Sequence, residues 1–127
     1  MPATTPTRRA LVVEDDPAIS KLVQKLLARR AFEIDVAHDG RTAVERLDNT
    51  KYSVIVLDLM VPGVDGFAII DYVKERDLRV PVAVVSAVSQ QALTRLDLDV
   101  VKVVISKPFD VDEFTKAIVT LCEDDAS

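Results

Sequence analysis

The sequence has a single cysteine, three glycines and no tryptophan. One cysteine, Cys122, excludes an intramolecular disulfide and fits a reducing compartment, and we expect it to be an inert, packed thiol. No apolar run approaches the ~20 residues that a membrane-spanning helix needs. No apolar stretch long enough to make a signal peptide follows Arg8 and Arg9. These absences predict a cytoplasmic protein without a membrane association.

The chain also lacks an excess of positive charge: 21 acidic residues outnumber 16 lysines and arginines, and the formal net charge is −5. Nucleic-acid binding normally requires a basic face. No stretch of the chain clusters lysine and arginine with aromatic residues. We therefore expect no nucleic-acid binding through this domain.

Apolar residues are plentiful, at 49% of 127 residues, and the mean hydropathy is +0.19. This composition suits a parallel sheet that is covered on both faces, because such strands are apolar throughout. Five runs rich in valine and isoleucine predict strands: RALVVE (9–14), FEIDVA (32–37), SVIVLD (53–58), VAVVSA (82–87) and KVVISK (102–107).

Segments with helical spacing lie between and after these runs. The first helix follows an Asp16 N-cap and Pro17, and the last follows a capping box from Asp110 to Glu113. The positions that we expect the helices to bury are Ile19, Leu22, Val23, Leu26 and Leu27 in the first, Ala43, Val44 and Leu47 in the second, Phe67, Ile70 and Val73 in the third, and Phe114, Ala117, Ile118 and Leu121 in the last. A fourth helix near 89–96 has the weakest signal.

Alternating strands and helices predict one α/β domain, a three-layer (βα)5 sandwich with a five-stranded parallel sheet. We expect a lead-in at 1–8, the domain at 9–122 and an acidic tail at 123–127. The end at Ser127 without a linker favours a single-domain protein over a fragment.

Polar residues stand where four of the five strands end. Glu14 and Asp15 follow the first strand, Asp58 ends the third, Ser86 lies at the end of the fourth, and Lys107 follows the fifth. Ligands of open α/β sheets bind at the carboxyl ends of the strands. We therefore expect these side chains to converge on one edge of the sheet.

Their chemistry predicts a phosphoryl-transfer site. Clustered carboxylates favour a hard cation such as Mg²⁺, and Asp58 can act as a nucleophile that forms an aspartyl phosphate. Lys107 and Ser86 would then hold the other oxygens of the phosphoryl group.

The chain resembles the receiver domain of bacterial two-component response regulators, and in particular their chemotaxis member. The matching motifs are LVVEDDPAI (11–19), IVLDLMVPGVDGF (55–67), VVSA (84–87) and SKPF (106–109), and the resemblance extends from about Arg9 to Cys122. It implies a flavodoxin-like fold with strand order 2-1-3-4-5.

The resemblance also implies a role for each site residue. Asp58 would be the phosphoacceptor, Ser86 the switch hydroxyl and Lys107 the cation that engages the phosphoryl group. Mg²⁺, which Mn²⁺ could replace, would be bound by Asp15, Asp58, Glu14 through water and the backbone carbonyl of Met60. Pro108 would follow a cis peptide bond.

The implied function is a phosphorylation-dependent switch rather than an enzyme with an external substrate. The donor would be a sensor histidine kinase or a histidine phosphotransfer protein. The face formed by the fourth helix, the fifth strand and the fifth helix would rearrange and control a downstream protein effector.

Three departures from the family pattern stand out. Val104 occupies the position of the usual switch aromatic. The stretch TRLDLDVVKVV (94–104) replaces a familiar Gly-Ala-Asp-Asp segment, and the last helix lacks the basic run of members that dimerise through this face. Met60 and Val88 are apolar at positions that orient or block the hydrolytic water, which predicts slow autodephosphorylation. We interpret His38 as a solvated turn residue.

Three other functions remain open. An aspartyl phosphatase would need a second acid where Met60 stands, and a flavodoxin-like nucleotide binder would need a Gly- or Ser/Thr-rich loop in place of EDDP. A degenerate receiver that acts only as a phosphorylation-independent docking module would keep the fold. The intact acids, Ser86 and Lys107 argue against this last alternative, and Val104 keeps it open.

Overall fold

The computed structural model describes residues 8–60, 66–87, 91 and 94–126. In these residues the chain forms five strands and four helices in alternating order up to β4. The strands are β1 (Arg8–Val13), β2 (Phe32–Ala37), β3 (Val54–Leu57), β4 (Val82–Ser86) and β5 (Val101–Ser106). The helices are α1 (Pro17–Ala28), α2 (Gly40–Asn49), α3 (Gly66–Glu75) and α4 (Val111–Ala126).

The five strands form one parallel sheet in the order β2-β1-β3-β4-β5. Val13 pairs with both Ala37 and Leu57, so the carboxyl ends of the three strands on this side of the sheet are level. Ser86 pairs with Ser106 at the ends of β4 and β5. The predicted fold class and strand order are confirmed.

Each face of the sheet has its own core, because successive side chains of a strand point to opposite faces. One core joins Leu11, Ile55 and Val84 to the apolar sides of α2 and α3. The other joins Val12, Val56 and their neighbours to α1 and α4. Thus β1, β3 and β4 lie in the middle layer with both faces covered, which explains their almost unbroken apolar sequences.

The first and last helices begin at the positions that their capping residues predicted. Asp16 accepts hydrogen bonds from the backbone N–H groups of Ala18 and Ile19, and Pro17 is the first helical residue of α1. Asp110 accepts from the N–H of Glu113 at 2.9 Å at the start of α4. Cys122 is buried in the second core, as expected.

Several positions differ in detail from the expected ones. Strand β5 begins at Val101 rather than at Lys102, and α4 continues to Ala126, past the end that we expected for the domain. Val44 is only half-buried on α2. None of the helices in the described ranges is long and apolar enough to cross a membrane.

Half of the predicted fourth helix, residues 89, 90, 92 and 93, lies outside the described residues. From Thr94 to Val100 the chain forms turns and irregular structure instead of a helix. This segment is attached to α3: the guanidinium of Arg95 lies 4.6 Å from the ring centroid of Phe67, and Lys74 Nζ lies 2.5 Å from an Asp97 carboxylate oxygen.

Candidate functional site

The predicted polar residues meet at the carboxyl edge of the sheet. Glu14 follows β1, Asp58 follows β3, Ser86 ends β4 and Lys107 follows β5. Glu14 and Ser86 are each 4% exposed and Asp58 is 7% exposed, so three polar side chains are buried here against the apolar sheet.

Asp58 is at the centre of this cluster. Its Oδ1 accepts hydrogen bonds from the Ser86 hydroxyl at 2.8 Å and from the backbone N–H of Met60 at 2.9 Å. Its Oδ2 accepts from Lys107 Nζ at 2.9 Å. A buried carboxylate is costly unless it is hydrogen-bonded and paired, and these contacts explain how a doubly covered strand can end in an acid.

Lys107 bridges two carboxylates. Its Nζ lies 2.6 Å from Glu14 Oε1 as well as 2.9 Å from Asp58 Oδ2. The peptide bond between Lys107 and Pro108 is cis, as the resemblance implied. One ammonium therefore holds the ends of β1, β3 and β5 together.

The local electrostatics separate the two acids. Burial, the largest influence, acts to raise the pKa of Asp58, but the hydrogen bonds from Met60, Lys107 and Ser86 together bring that pKa below its usual value. For Glu14, burial prevails and raises the pKa above its usual value despite the hydrogen bonds from Lys107 and the Asp16 N–H. Burial acts to lower the pKa of Lys107, yet its bonds to both carboxylates raise it. Asp58 is therefore ionised and Lys107 charged at neutral pH.

Asp15 completes an acidic cluster with Glu14 and Asp58. One carboxylate oxygen from each lies within 4.8 Å of the others, and Asp15 is exposed while its two partners are buried. Three carboxylate oxygens this close together are a donor set that suits a hard divalent cation.

Met60 has its side chain 68% exposed beside this cluster. Its N–H donates to Asp58, while the expected role of its carbonyl as a metal ligand stays a prediction. Val88 lies outside the described residues. Val104 on β5 is 40% exposed. It presents an aliphatic surface at the position where the family usually has an aromatic ring.

His38 makes a contact that the sequence did not predict. It is exposed, as a solvated turn residue would be, but its Nδ1 lies 3.1 Å from the backbone carbonyl oxygen of Glu14. The fragment HDG after β2 carries no signal for this contact, because the contact depends on the packing of the β2–α2 loop against the end of β1.

Comparisons with known proteins agree with the fold. The family model for the response regulator receiver domain matches residues 10–119 of this chain. The transcriptional regulatory protein DltR of Streptococcus agalactiae is 35% identical over 112 residues, which are 87% of this chain and 50% of that protein. The chain spans about half, or less, of the length of the curated relatives it matches.

Solved receiver domains have the same architecture. The receiver domain of the Francisella response regulator 1452 has a TM-score of 0.85 and 25% identity, over 93% of this chain and 98% of that one. The response regulator TrrA of Thermotoga maritima, solved in complex with Mg²⁺-BeF, has a TM-score of 0.81 and 24% identity, over 91% and 99% of the two chains. This protein belongs to the receiver domain family of response regulators.

Proposed function

We propose that this receiver domain is a phosphorylation-dependent switch that accepts a phosphoryl group on Asp58 from a histidine kinase or a histidine phosphotransfer protein. The observation that carries the proposal is the convergence on one ionised, buried carboxylate of a lysine ammonium, a serine hydroxyl and two further acids. No other acid in the described residues has this combination of partners.

The transfer requires a nucleophile and a way to balance charge. An oxygen of Asp58 attacks phosphorus, a P–O bond forms, the P–N bond of the donor phosphohistidine breaks, and the imidazole leaves with that electron pair. Lys107 Nζ, already within 2.9 Å of Asp58, balances negative charge on the phosphoryl oxygens. The Ser86 hydroxyl, which donates to Asp58 in this state, becomes a donor to the new phosphoryl group.

Mg²⁺ fits the donor set at this site. Asp15 and Asp58 would bind it directly, Glu14 through water and Met60 through its backbone carbonyl, and Mn²⁺ would be an alternative occupant. The bound ion would neutralise negative charge on the transferring group. TrrA, which has the same fold, was solved in complex with Mg²⁺-BeF, and this supports Mg²⁺ as the cation.

Hydrolysis of the phosphoryl group should be slow. The exposed thioether of Met60 is only a weak acceptor and cannot orient an attacking water well. We expect a phosphoryl half-life of minutes or longer in Mg²⁺ buffer, and a half-life of seconds would refute this expectation. The domain would thus hold a signal and would not turn over an external substrate.

The output surface would be β5 with the last helix, α4, and the segment that precedes β5. The phosphoryl group adds about −1.5 to −2 charges next to Lys107 and Ser86, and both residues connect directly to β5 or pair with it. A downstream protein would read the rearranged surface. DltR and several other relatives are named transcriptional regulators, which supports an effector of transcription as the target.

Val104 supports a second function, a docking module that does not depend on phosphorylation. Valine lacks the ring that a two-residue switch would move, and its 40% exposure leaves an apolar contact surface in the unphosphorylated protein.

Intact mass spectrometry tests the proposal. The wild type and Asp58→Asn are incubated with acetyl phosphate, with Mg²⁺ or with EDTA, and sampled at short times. We expect a gain of one phosphoryl group that requires Mg²⁺ and is absent from Asp58→Asn. A wild type that gains nothing at any time would overturn the proposal in favour of the docking module. A gain that persists in Asp58→Asn would overturn the assignment of Asp58.

A further inference from the structure

We propose that His38 is a positioning residue for the metal ligand Asp15, and that it acts through the backbone of Glu14. The inference rests on the proposed function, because it assumes that the acidic cluster binds Mg²⁺. It concerns how the exposed acid of that cluster is held in place.

Asp15 differs from the two other acids of the cluster. Glu14 and Asp58 are buried, and each accepts a hydrogen bond from Lys107. Asp15 is exposed, and within the described residues its carboxylate accepts no hydrogen bond. Among the described residues, the backbone of Asp15 is therefore what sets the point from which its carboxylate extends.

Both peptide groups that flank Asp15 are held by hydrogen bonds. The carbonyl oxygen of Glu14 lies 3.1 Å from His38 Nδ1, and this carbonyl is in one rigid plane with the N and Cα atoms of Asp15. On the other side, the N–H of Asp16 donates to Glu14 Oε2 at 3.2 Å. Removing the His38 contact would release one of these two planes.

The loop that carries His38 is itself anchored. Ala37 accepts a hydrogen bond from the N–H of Glu14 at 3.0 Å, directly before His38. Asp39, directly after it, caps α2 by accepting from the N–H of Thr42 at 2.8 Å. The imidazole thus extends from a backbone that is held on both sides, and its hydrogen bond can restrain the carbonyl group of Glu14.

The contact also defines the form of the ring. A carbonyl oxygen only accepts, so Nδ1 must carry the proton that it donates. The amide NH₂ of asparagine has nearly the same reach as Nδ1–H. His38→Asn can therefore keep the hydrogen bond, whereas His38→Ala removes it.

The test is an NMR titration with Mg²⁺ alone, without a phosphodonor. The variants are the wild type, His38→Ala, His38→Asn and the matched control Asn49→Ala. In the wild type, the exposed Asn49 side chain likewise donates to a backbone carbonyl, from Nδ2 to Glu45 at 2.8 Å, but it lies at the C-terminal end of α2. The measured quantities are the Mg²⁺ dissociation constant, the amide shifts of Asp15 and Asp16, and the melting temperature in EDTA.

We expect His38→Ala to bind Mg²⁺ about 2- to 10-fold more weakly, the effect of losing one hydrogen bond that orients a ligand. The amides of residues 15 and 16 should shift in EDTA, and the melting temperature should match that of the control. His38→Asn should recover most of the affinity.

Three outcomes would overturn the inference, and they are distinguishable. If the wild type binds Mg²⁺ and His38→Ala binds it equally well, His38 does not position Asp15, while the proposed function stands. If the wild type shows no saturable Mg²⁺ binding, the metal site of the proposed function fails, and the inference fails with it. A loss of affinity that His38→Asn does not recover would also overturn the hydrogen-bond mechanism.

Discussion

Two buried carboxylates share one ammonium group in this protein. Glu14 and Asp58 both lie at hydrogen-bond distance from Lys107 Nζ, whose side chain is 17% exposed. Without the ammonium, two like charges would face each other in a site with little water. Lys107 therefore contributes to stability as well as to the proposed chemistry.

We predict that Lys107→Met lowers the free energy of unfolding by about 2–3 kcal/mol at pH 7 in EDTA, because it leaves two buried carboxylates unpaired. In the wild type, the hydrogen bond from Lys107 lowers the pKa of Glu14 and partly offsets the effect of burial. Without Lys107 the pKa of Glu14 rises further. When the pKa of a carboxyl group is higher in the folded than in the unfolded protein, the free energy of unfolding falls as pH increases. The deficit should therefore shrink toward pH 5, as measured by urea unfolding followed by circular dichroism.

Lys102→Met is the matched control for this prediction. Lys102 is on β5, the strand that Lys107 follows, and it is exposed, with its Nζ 3.3 Å from the carbonyl oxygen of Leu98. We expect its effect to stay within ~0.5 kcal/mol. Equal stability of the two variants would contradict the structural role of Lys107.

The convergence of Glu14, Asp58, Ser86 and Lys107 could be predicted from the sequence, because parallel strands present their carboxyl ends at one edge. The pairing of Lys107 with Glu14, in addition to Asp58, could not be predicted. It depends on side-chain distances of 2.6 and 2.9 Å that no spacing in the sequence encodes. The same reason applies to His38, whose partner is a backbone oxygen 24 positions away.

At the level of the elements, Gly66 determines how closely α3 approaches the end of β3. A Cβ atom at this position would lie 2.5 Å from the Cα of Leu59 and 3.3 Å from the carbonyl oxygen of Asp58. The N–H of Gly66 also donates to the Leu59 carbonyl at 3.3 Å. The start of α3 therefore packs directly on the segment that carries the phosphoacceptor candidate.

We predict that Gly66→Ala destabilises the protein by about 1–3 kcal/mol, because backbone atoms must move to relieve the overlap. The expected observation is a clear fall in the melting temperature. Asp71→Ala, at an exposed position of the same helix, should leave the melting temperature nearly unchanged. A Gly66→Ala protein as stable as this control would show that α3 can shift freely.

The strands follow the sequence to within about two residues, since their apolar runs are strong, and the helices begin at the predicted caps. The segment at 94–100 differs from its prediction. Its turns are held by contacts with another element, such as Lys74 to Asp97 and Arg95 to Phe67, and Leu96 and Val100 are buried in the core that α3 shares. Local propensity cannot reveal such contacts, which is why LDLDVV carried no clear signal.

Across the whole molecule, charge and hydroxyl groups secure the outer edge of the sheet at β2. Arg9 pairs with Glu33 and Asp35, and the Tyr52 hydroxyl donates to Asp35 at 2.7 Å. Burial, together with this hydrogen bond to Asp35, raises the pKa of Tyr52 to about 12. The edge strand is thus tied to the chain segment that leads into β3.

We predict that this tyrosine makes global stability sensitive to alkaline pH. The unfolded chain loses the phenol proton near pH 10, whereas the folded protein keeps it until about pH 12. The folded state binds more protons in that interval, so the free energy of unfolding falls as pH rises through it. We expect a loss of ~1 kcal/mol, less than the full linkage value because the hydroxyl is partly solvated.

Urea unfolding of the wild type and Tyr52→Phe at pH 8, 10 and 11 measures this effect. Phenylalanine has no proton to lose, so the difference in stability between the two proteins should change across the interval. A difference that is constant from pH 8 to pH 11 would contradict the prediction.

Cys122 offers a way to time the motion of the last helix. It carries the only thiol in the sequence, and the residue is 4% exposed, packed between α4 and the sheet. An alkylating reagent can reach it only when α4 separates transiently from the strands. The rate of alkylation therefore reports how often α4 opens. A rate that changes when Asp58 is phosphorylated would show that the effect of phosphorylation reaches α4, without any added probe.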